Sequence, residues 1–283
     1  MTLVLVTGAT GTVGSLVVDD LVRAGLQIRA ATTGEATADS PAVEPVRFDF
    51  TDRSTWDAAF AGVERMFLMR PPHLSRPKRE MVPALERARS LGVRHMVLLS
   101  LQGAEHNRLV PHASLEAWLR DSGIDWTFVR ASFFMQNLIT VHRSDIRDRS
   151  ELVVPAGDGA TAFVDAVDVA AVAAAALVDP APHARRAWTP TGPEALTYAE
   201  VTAELSAVLG RAIVYRRPGL VRYARHAHGT LGLPWPLVAV SSAIYTAARW
   251  GRAGGLTDDV RTVTGRAPIS FAEFARRERA VWS

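Results

Sequence analysis

Eight residues near the start of the chain, Thr7-Gly8-Ala9-Thr10-Gly11-Thr12-Val13-Gly14, have the types and spacing to hold an anion on bare backbone. Glycines so placed permit a tight turn at Gly8, close approach of a ligand at Gly11, and close helix packing at Gly14. They stand between a short apolar run, Leu3–Val6, and apolar residues at helical spacing, Val13, Leu16, Val17, Leu21 and Ala24. A helix starting there offers free N–H groups and about half a positive charge, which suit the diphosphate of NAD or NADP. The plainer alternative is a glycine-rich turn needed only for packing. A P-loop is excluded, since no Gly-Lys-Ser/Thr follows. Gly8, Thr10, Gly11, Thr12, Val13 and Gly14 are the expected diphosphate contacts.

The choice of dinucleotide turns on the end of the second strand, where an acid favours NAD and a base favours NADP. That strand, Gln27–Thr33, ends in Ala31-Thr32-Thr33-Gly34, with Glu35 just beyond it. Thr33 can bond a 2′-phosphate, and Arg29 helps only if it faces the site. The reading favours NADP(H) over NAD(H).

Other reactive constellations are few. The absence of cysteine removes disulfides, thiolate nucleophiles and thiolate metal sites together. There is no HExxH, and His226-x-His228 reads as a polar helix face rather than a metal site. His112-x-x-x-Glu116 has the i, i+4 spacing that puts both side chains on one helical face. In that reading His112 is a proton donor, with Glu116 orienting it and raising its pKa; in the blander one His112 caps a helix or meets solvent. Net charge is only +3 and spread out, so no nucleic-acid surface is expected. The apolar stretch Leu231–Ala248 is interrupted by Pro234, Pro236 and two serines, which argues for core, lid or homodimer interface over membrane. With no basic leader and too short an apolar start, the expected location is cytoplasmic.

These residues need a frame. Strands are expected at Leu3–Val6, Gln27–Thr33, Val46–Phe50, Arg65–Met69, Arg94–Ser100 and Trp126–Arg130. Between them helices are expected at Val13–Ala24, after a Ser54-x-x-Asp57 capping box, at Arg79–Leu91 and at Pro111–Ser122. Such alternation predicts an α/β fold with a doubly wound parallel sheet. Further on, Phe133–His142 reads as helix, Leu152–Val154 as strand and Ala166–Val178 as helix. Thr197-x-x-Glu200 and Ser270-x-x-Glu273 open two more helices. The expected division is a dinucleotide-binding domain over 1–150, to which 160–180 return. A small α+β substrate lobe over 151–283 does not fold independently.

Several segments together resemble the NmrA-like branch of the atypical short-chain dehydrogenases, particularly its quinone-reductase and triphenylmethane-reductase-like members. They are Val6-Thr7-Gly8-Ala9-Thr10-Gly11-x-x-Gly14, Ser122–Arg130, Phe134-Met135-Gln136-Asn137, Phe163-Val164-Asp165-x-x-Asp168-Val169-Ala170, Thr191–Glu194 and Thr264-Gly265-Arg266-x-Pro268-x-Ser270-Phe271. The resemblance implies one Rossmann-like domain that binds NADP(H) and a C-terminal lobe that shapes a substrate cleft. It places Asp49 and Phe50 by the adenine, Met69, Arg70 and Pro71 along the cofactor path, and Ser100 near the nicotinamide. Phe133, Phe134, Gln136 and Asn137 would face nicotinamide and substrate, and Trp126 with Phe133 and Phe134 would suit a flat aromatic molecule.

One departure is chemical. Ordinary short-chain dehydrogenases use a Tyr-x-x-x-Lys pair, whose lysine lowers the tyrosine pKa. Here Lys78 is the only lysine and position 74 is Leu74, so that pair cannot form. His112, Ser100 and Asn137 remain as candidate catalytic groups. A quinone or similar conjugated acceptor can still take hydride directly, with water supplying the proton. The resulting expectation is an NAD(P)H-dependent reductase of a small conjugated substrate. The alternatives are a non-catalytic dinucleotide sensor, or a non-redox natural-product enzyme on the same fold.

Overall fold

The computed structural model describes residues 2–34 and 40–283, so Glu35 lies outside the described residues. Twelve strands are present among them: β1 Leu3–Thr7, β2 Gln27–Thr32, β3 Val43–Arg47, β4 Val63–Met69, β5 His95–Leu101, β6 Asp125–Ala131, β7 Phe133–Phe134, β8 Glu151–Val153, β9 Ala160–Val164, β10 Arg186–Trp188, β11 Ala195–Thr197 and β12 Val214–Arg216. The chain forms two compact units. The first comprises Met1–Ala131, Ala166–Pro190 and Asp259–Arg266; the second comprises Ser132–Asp165, Thr191–Asp258 and Ala267–Ser283.

In the first unit seven strands form one sheet in the order β10-β6-β5-β4-β1-β2-β3, every pair parallel. The expected doubly wound sheet is therefore present, with β10 as a seventh strand. Leu5, Met66, Met96, Leu98, Leu115, Leu119 and Phe128 lie in the core on one sheet face. The alanine-rich helix Ala166–Val178 packs on the helix Thr12–Arg23. It is apolar nearly all round and almost wholly buried, as such a helix must be. Arg266 pairs with its Asp168 at 2.5 Å.

Several boundaries differ from those expected. The third strand lies at Val43–Arg47 rather than Val46–Phe50, and contains Pro45. Pro45 is tolerated because β3 is the sheet edge, where a missing donor costs no ladder bond. The helix over Arg79–Leu91 breaks at Met81 into Pro77–Glu80 and Val82–Ser90, with Pro83 in the first turn of the second piece. Ser54 does not cap the next helix: Asp52 caps a 3-10 turn, Arg53–Thr55, accepting from the Ser54 N–H at 3.1 Å, and the helix Trp56–Phe60 follows without a side-chain cap. The units part at Ala131, not near 150, and 259–266 also belong to the first.

The second unit explains that shift. Phe133–His142 is not one helix: β7 pairs with β9, Phe133 opposite Phe163, and only Asn137–Thr140 and then Arg143–Arg149 are helical. Its sheets are β11-β9-β7 and β12-β8. The capping boxes at Thr197/Glu200 and Ser270/Glu273 form with both reciprocal bonds. All four tyrosines of the chain join Phe133 and Phe163 in one aromatic cluster, with Tyr198 and Tyr245 deeply buried. The stretch Leu231–Ala248 is mostly the helix Trp235–Arg249, burying Val238, Tyr245 and Ala248 and exposing Trp235, Leu237, Val240 and Ile244. No helix among the described residues is long and apolar enough to cross a membrane.

Candidate functional site

The glycine turn joins β1 to the helix Thr12–Arg23 at the carboxyl edge of the first unit's sheet. Gly8 has φ +64, a left-handed conformation that favours glycine, and its N-terminal neighbour Thr7 ties two strands together. The Thr7 hydroxyl donates to the Phe67 carbonyl at 2.9 Å and accepts from the Met69 N–H at 2.8 Å. These bonds hold Met69 beside the turn, so a Cβ on Gly8 would lie 2.0 Å from Met69 Cε. On Gly14 a Cβ would lie 2.0 Å from the Gly8 carbonyl oxygen, which only glycine permits.

Gly11 differs. It is the N-cap at φ −85 and ψ 168, and no side chain caps the helix behind it. A Cβ there would meet only Gly8 O at 3.3 Å and Met69 Cε at 3.8 Å. Packing therefore demands Gly8 and Gly14 but hardly demands Gly11. The first-turn N–H groups are left for an anion, with Thr10 and Thr12 exposed beside them. The donor set fits a diphosphate.

Around this turn the first unit places the other expected cofactor residues. Thr33 is exposed directly after β2. Asp49 and Phe50 follow β3; the Asp49 carboxylate accepts from Thr51, and Phe50 packs edge-on against Phe48 at 4.7 Å. Arg29 does not serve a cofactor. Its guanidinium binds Glu44 and the carbonyls of Ala58, Ala59 and Ala61, and so anchors the following helix. Arg70 folds back on the carbonyls of Pro71, Pro72 and Leu74, with its Nε buried and unpartnered. Burial lowers its pKa against the pull of Glu80.

The expected His112–Glu116 pair requires correction. Both lie on the helix Pro111–Asp121, but Glu116 turns to the sheet. It is fully buried and accepts from Ser100 Oγ at 2.7 Å, from Arg130 Nε and Nη2 at 3.0 and 2.7 Å, and from Arg120 Nη2 at 2.9 Å. Burial alone would raise its pKa, but the Arg130 and Ser100 hydrogen bonds and the Arg130 and Arg120 charges outweigh that and lower it. Arg130 also meets Glu105 at 3.3 Å. His112 is lowered to about 4, first by burial and then by the Arg70 charge, with Glu116 too weak to offset them. Its Nδ1 is buried without a partner. His112 is a neutral imidazole at pH 7, the upward pull of Glu116 being outweighed.

In the second unit Phe133 stands edge-on to Phe163 at 5.6 Å and 5.9 Å from Tyr245. Phe134 and Asn137 are half-buried. Gln136 Nε2 donates to Asp165 Oδ1 at 2.9 Å, and Arg277 Nη2 donates to Asp165 Oδ2 at 2.7 Å. Trp126 sits at the amino end of β6 in the first unit, stacked on Phe128 at 4.1 Å beneath Arg120. His226 and His228 also part ways: His226 pairs with Asp145 at 2.7 Å, while His228 bonds the Leu233 carbonyl and stacks on Trp235.

Comparison with known proteins places this geometry in context. The model of the NmrA-like family matches residues 1–221. The chain is 35% identical to an NAD(P)H azoreductase of Xenophilus azovorans, covering 99% of each chain. It is 36% identical to a (4-alkanoyl-5-oxo-2,5-dihydrofuran-3-yl)methyl phosphate reductase of Streptomyces griseus subsp. griseus, covering 96% of each. The fold matches the NADPH-dependent quinone oxidoreductase of Escherichia coli in complex with NADPH, with TM-score 0.85 at 24% identity over 98% of this chain and 99% of that one.

Proposed function

The chain belongs to the NmrA-like family and is an NAD(P)H-dependent reductase; from this premise we propose that it reduces a small conjugated molecule, quinone-like or polycyclic, with NADPH as the preferred donor. The observation that carries this is Gly11, an uncapped helix start where a side chain would fit but a bound diphosphate would not tolerate one. Gly8, Thr10, Gly11, Thr12, Val13 and Gly14 would hold the diphosphate, and Thr33 the 2′-phosphate. Asp49 and Phe50 would border the adenine, with Met69, Arg70 and Pro71 along the cofactor. No acid ends β2 at Thr32, and none stands at Thr33 or Gly34, which supports the phosphorylated dinucleotide.

When bound, the reduced nicotinamide supplies hydride. The protein's part is to orient the reactants and exclude water. Phe133, Phe134, Gln136 and Asn137 are the side chains we assign to the substrate. Phe133 is held by its ring contacts and Gln136 by Asp165, so neither needs to be ordered when a flat molecule arrives. His112 contributes a neutral ring, not an acid. With no Tyr-x-x-x-Lys pair in the chain, the proton of the reduced product comes from water.

The test is cofactor oxidation. Purified protein is mixed with NADPH or NADH and a panel of quinones, azo compounds and saturated ketones, and loss of reduced-nicotinamide absorbance is followed. Turnover of quinones or azo compounds with higher kcat/KM for NADPH is expected. Tight NADPH binding with no acceptor reduced would replace this reading with that of a dinucleotide sensor.

A further inference from the structure

The hydrogen-bond polarity of Ser100 is set from outside. Ser100 is the penultimate residue of β5, at the carboxyl edge of the parallel sheet, where open α/β sheets bind their ligands. It is 4% exposed, so bulk water does not compete for it. Its hydroxyl donates to Glu116 Oε1 at 2.7 Å. A carboxylate accepts and never donates, so Ser100 Oγ keeps lone pairs only for anything else it meets. The carboxylate cannot turn away, because Arg130 grips both its oxygens and Arg120 holds Oε2. The two arginines also exhaust its remaining acceptor positions.

We propose that Glu116 is a positioning residue that fixes Ser100 as a hydrogen-bond acceptor, and that the donor Ser100 takes is the carboxamide N–H of the nicotinamide. The inference rests on the reductase reading above and sharpens it. A quinone or an azo group presents only acceptors, so neither can pair with a serine whose proton is already used. The adenine amine stands at the far end of the cofactor, so beside the reacting ring the N–H donor is the carboxamide. Ser100 thus orients the cofactor's ring rather than polarising the substrate.

The experiment compares Kd for NADPH with Kd for the reduced analogue whose carboxamide is an acetyl group and lacks N–H. Ser100→Ala is expected to weaken NADPH binding about five- to tenfold, the range of one lost hydrogen bond, and to leave the analogue within about twofold. In Glu116→Gln the amide oxygen is claimed by the paired Nη2 donors, so its NH₂ faces Ser100 and turns the serine into a donor aimed at an N–H. That variant should bind NADPH at least as weakly as Ser100→Ala, and the double variant should match Ser100→Ala alone.

Equal loss for both cofactors, no loss for either, or additive effects in the double variant would overturn the proposal. If Glu116→Gln does not fold, the Ser100→Ala comparison decides alone, because there Glu116 keeps all its arginine bonds. Wild-type protein that neither binds nor oxidises NADPH would instead sink the reductase reading itself.

Discussion

Gly11→Ala separates a cofactor cradle from a turn that merely packs. The backbone at Gly11, φ −85 and ψ 168, is open to any residue. The new methyl would sit 3.3 Å from the Gly8 carbonyl and 3.8 Å from Met69 Cε, so the turn yields by a few tenths of an ångström. Alanine also restricts the unfolded chain, which stabilises by about 0.4–1 kcal/mol, roughly offsetting that contact. The cofactor-free protein should therefore unfold within about 1 kcal/mol of wild type in urea. Binding should behave otherwise, because the methyl stands where the diphosphate must reach backbone N–H groups. Hydrogen bonds to charged groups contribute about 1.5–3 kcal/mol each, so losing one raises Kd by about tenfold or more. Fluorescence titration with NADPH supplies Kd. Gly25→Ala is the comparison: φ is +79 with open space around it, so it should cost about 1 kcal/mol of stability and leave Kd alone. Wild-type Kd in Gly11→Ala would refute the cradle.

Gly14→Ala should fail in both measurements. Its Cβ falls 2.0 Å from Gly8 O and 2.7 Å from Gly8 C, both backbone, so it should lose about 1–3 kcal/mol or more in urea along with cofactor affinity. Arg130→Met leaves the buried Glu116 carboxylate to Arg120 and Ser100, and a cost of about 3–5 kcal/mol is expected in the same assay. Acid should unfold the protein early. His95, His112 and His142 are each lowered by burial to about 4, so the unfolded chain binds their protons first as pH falls. Stability present above about pH 6.5 is then lost towards pH 4, and urea midpoints that stay level from pH 7 to 4.5 would contradict this.

The sheet was legible because parallel strands buried on both faces read as unbroken apolar runs, and Leu3–Val6 and Met96–Leu99 are such runs. What failed was set by partners distant in sequence. Phe133–Phe134 becomes a strand because Phe163 lies beside it, and local periodicity cannot see that neighbour. The third strand starts earlier, at Val43, and holds Pro45, which an edge position tolerates and local sequence does not reveal. At the site, the glycine pattern carried its own context, and Gly8 and Gly14 have the close contacts their spacing implied. The His112–Glu116 pair had correct helical spacing and the wrong partner. Arg130 closes the Ser122–Arg130 segment, but nothing local says that a strand-end arginine captures a glutamate fourteen residues earlier. The signal was a glutamate among the buried positions of its helix, since a buried carboxylate demands cations.

The same captures constrain the chemistry. The Ser100 hydroxyl donates its hydrogen bond to Glu116, Glu116 is held as an anion by two arginines, and His112 is neutral. None of these groups of the first unit releases a proton near pH 7, so hydride transfer cannot be coupled to protonation from them. Acceptors whose reduced form is stable as an anion, as a hydroquinone monoanion is, suffer little from this. An isolated ketone, whose alkoxide must be protonated as it forms, suffers greatly. With quinones kcat/KM should be level between about pH 6.5 and 8.5, with a solvent deuterium isotope effect near unity. Saturated ketones should be inert. A quinone reaction that falls steeply with rising pH and carries a large solvent isotope effect would mean that an acid does act in the step, and the assignment of these side chains would have to be reopened.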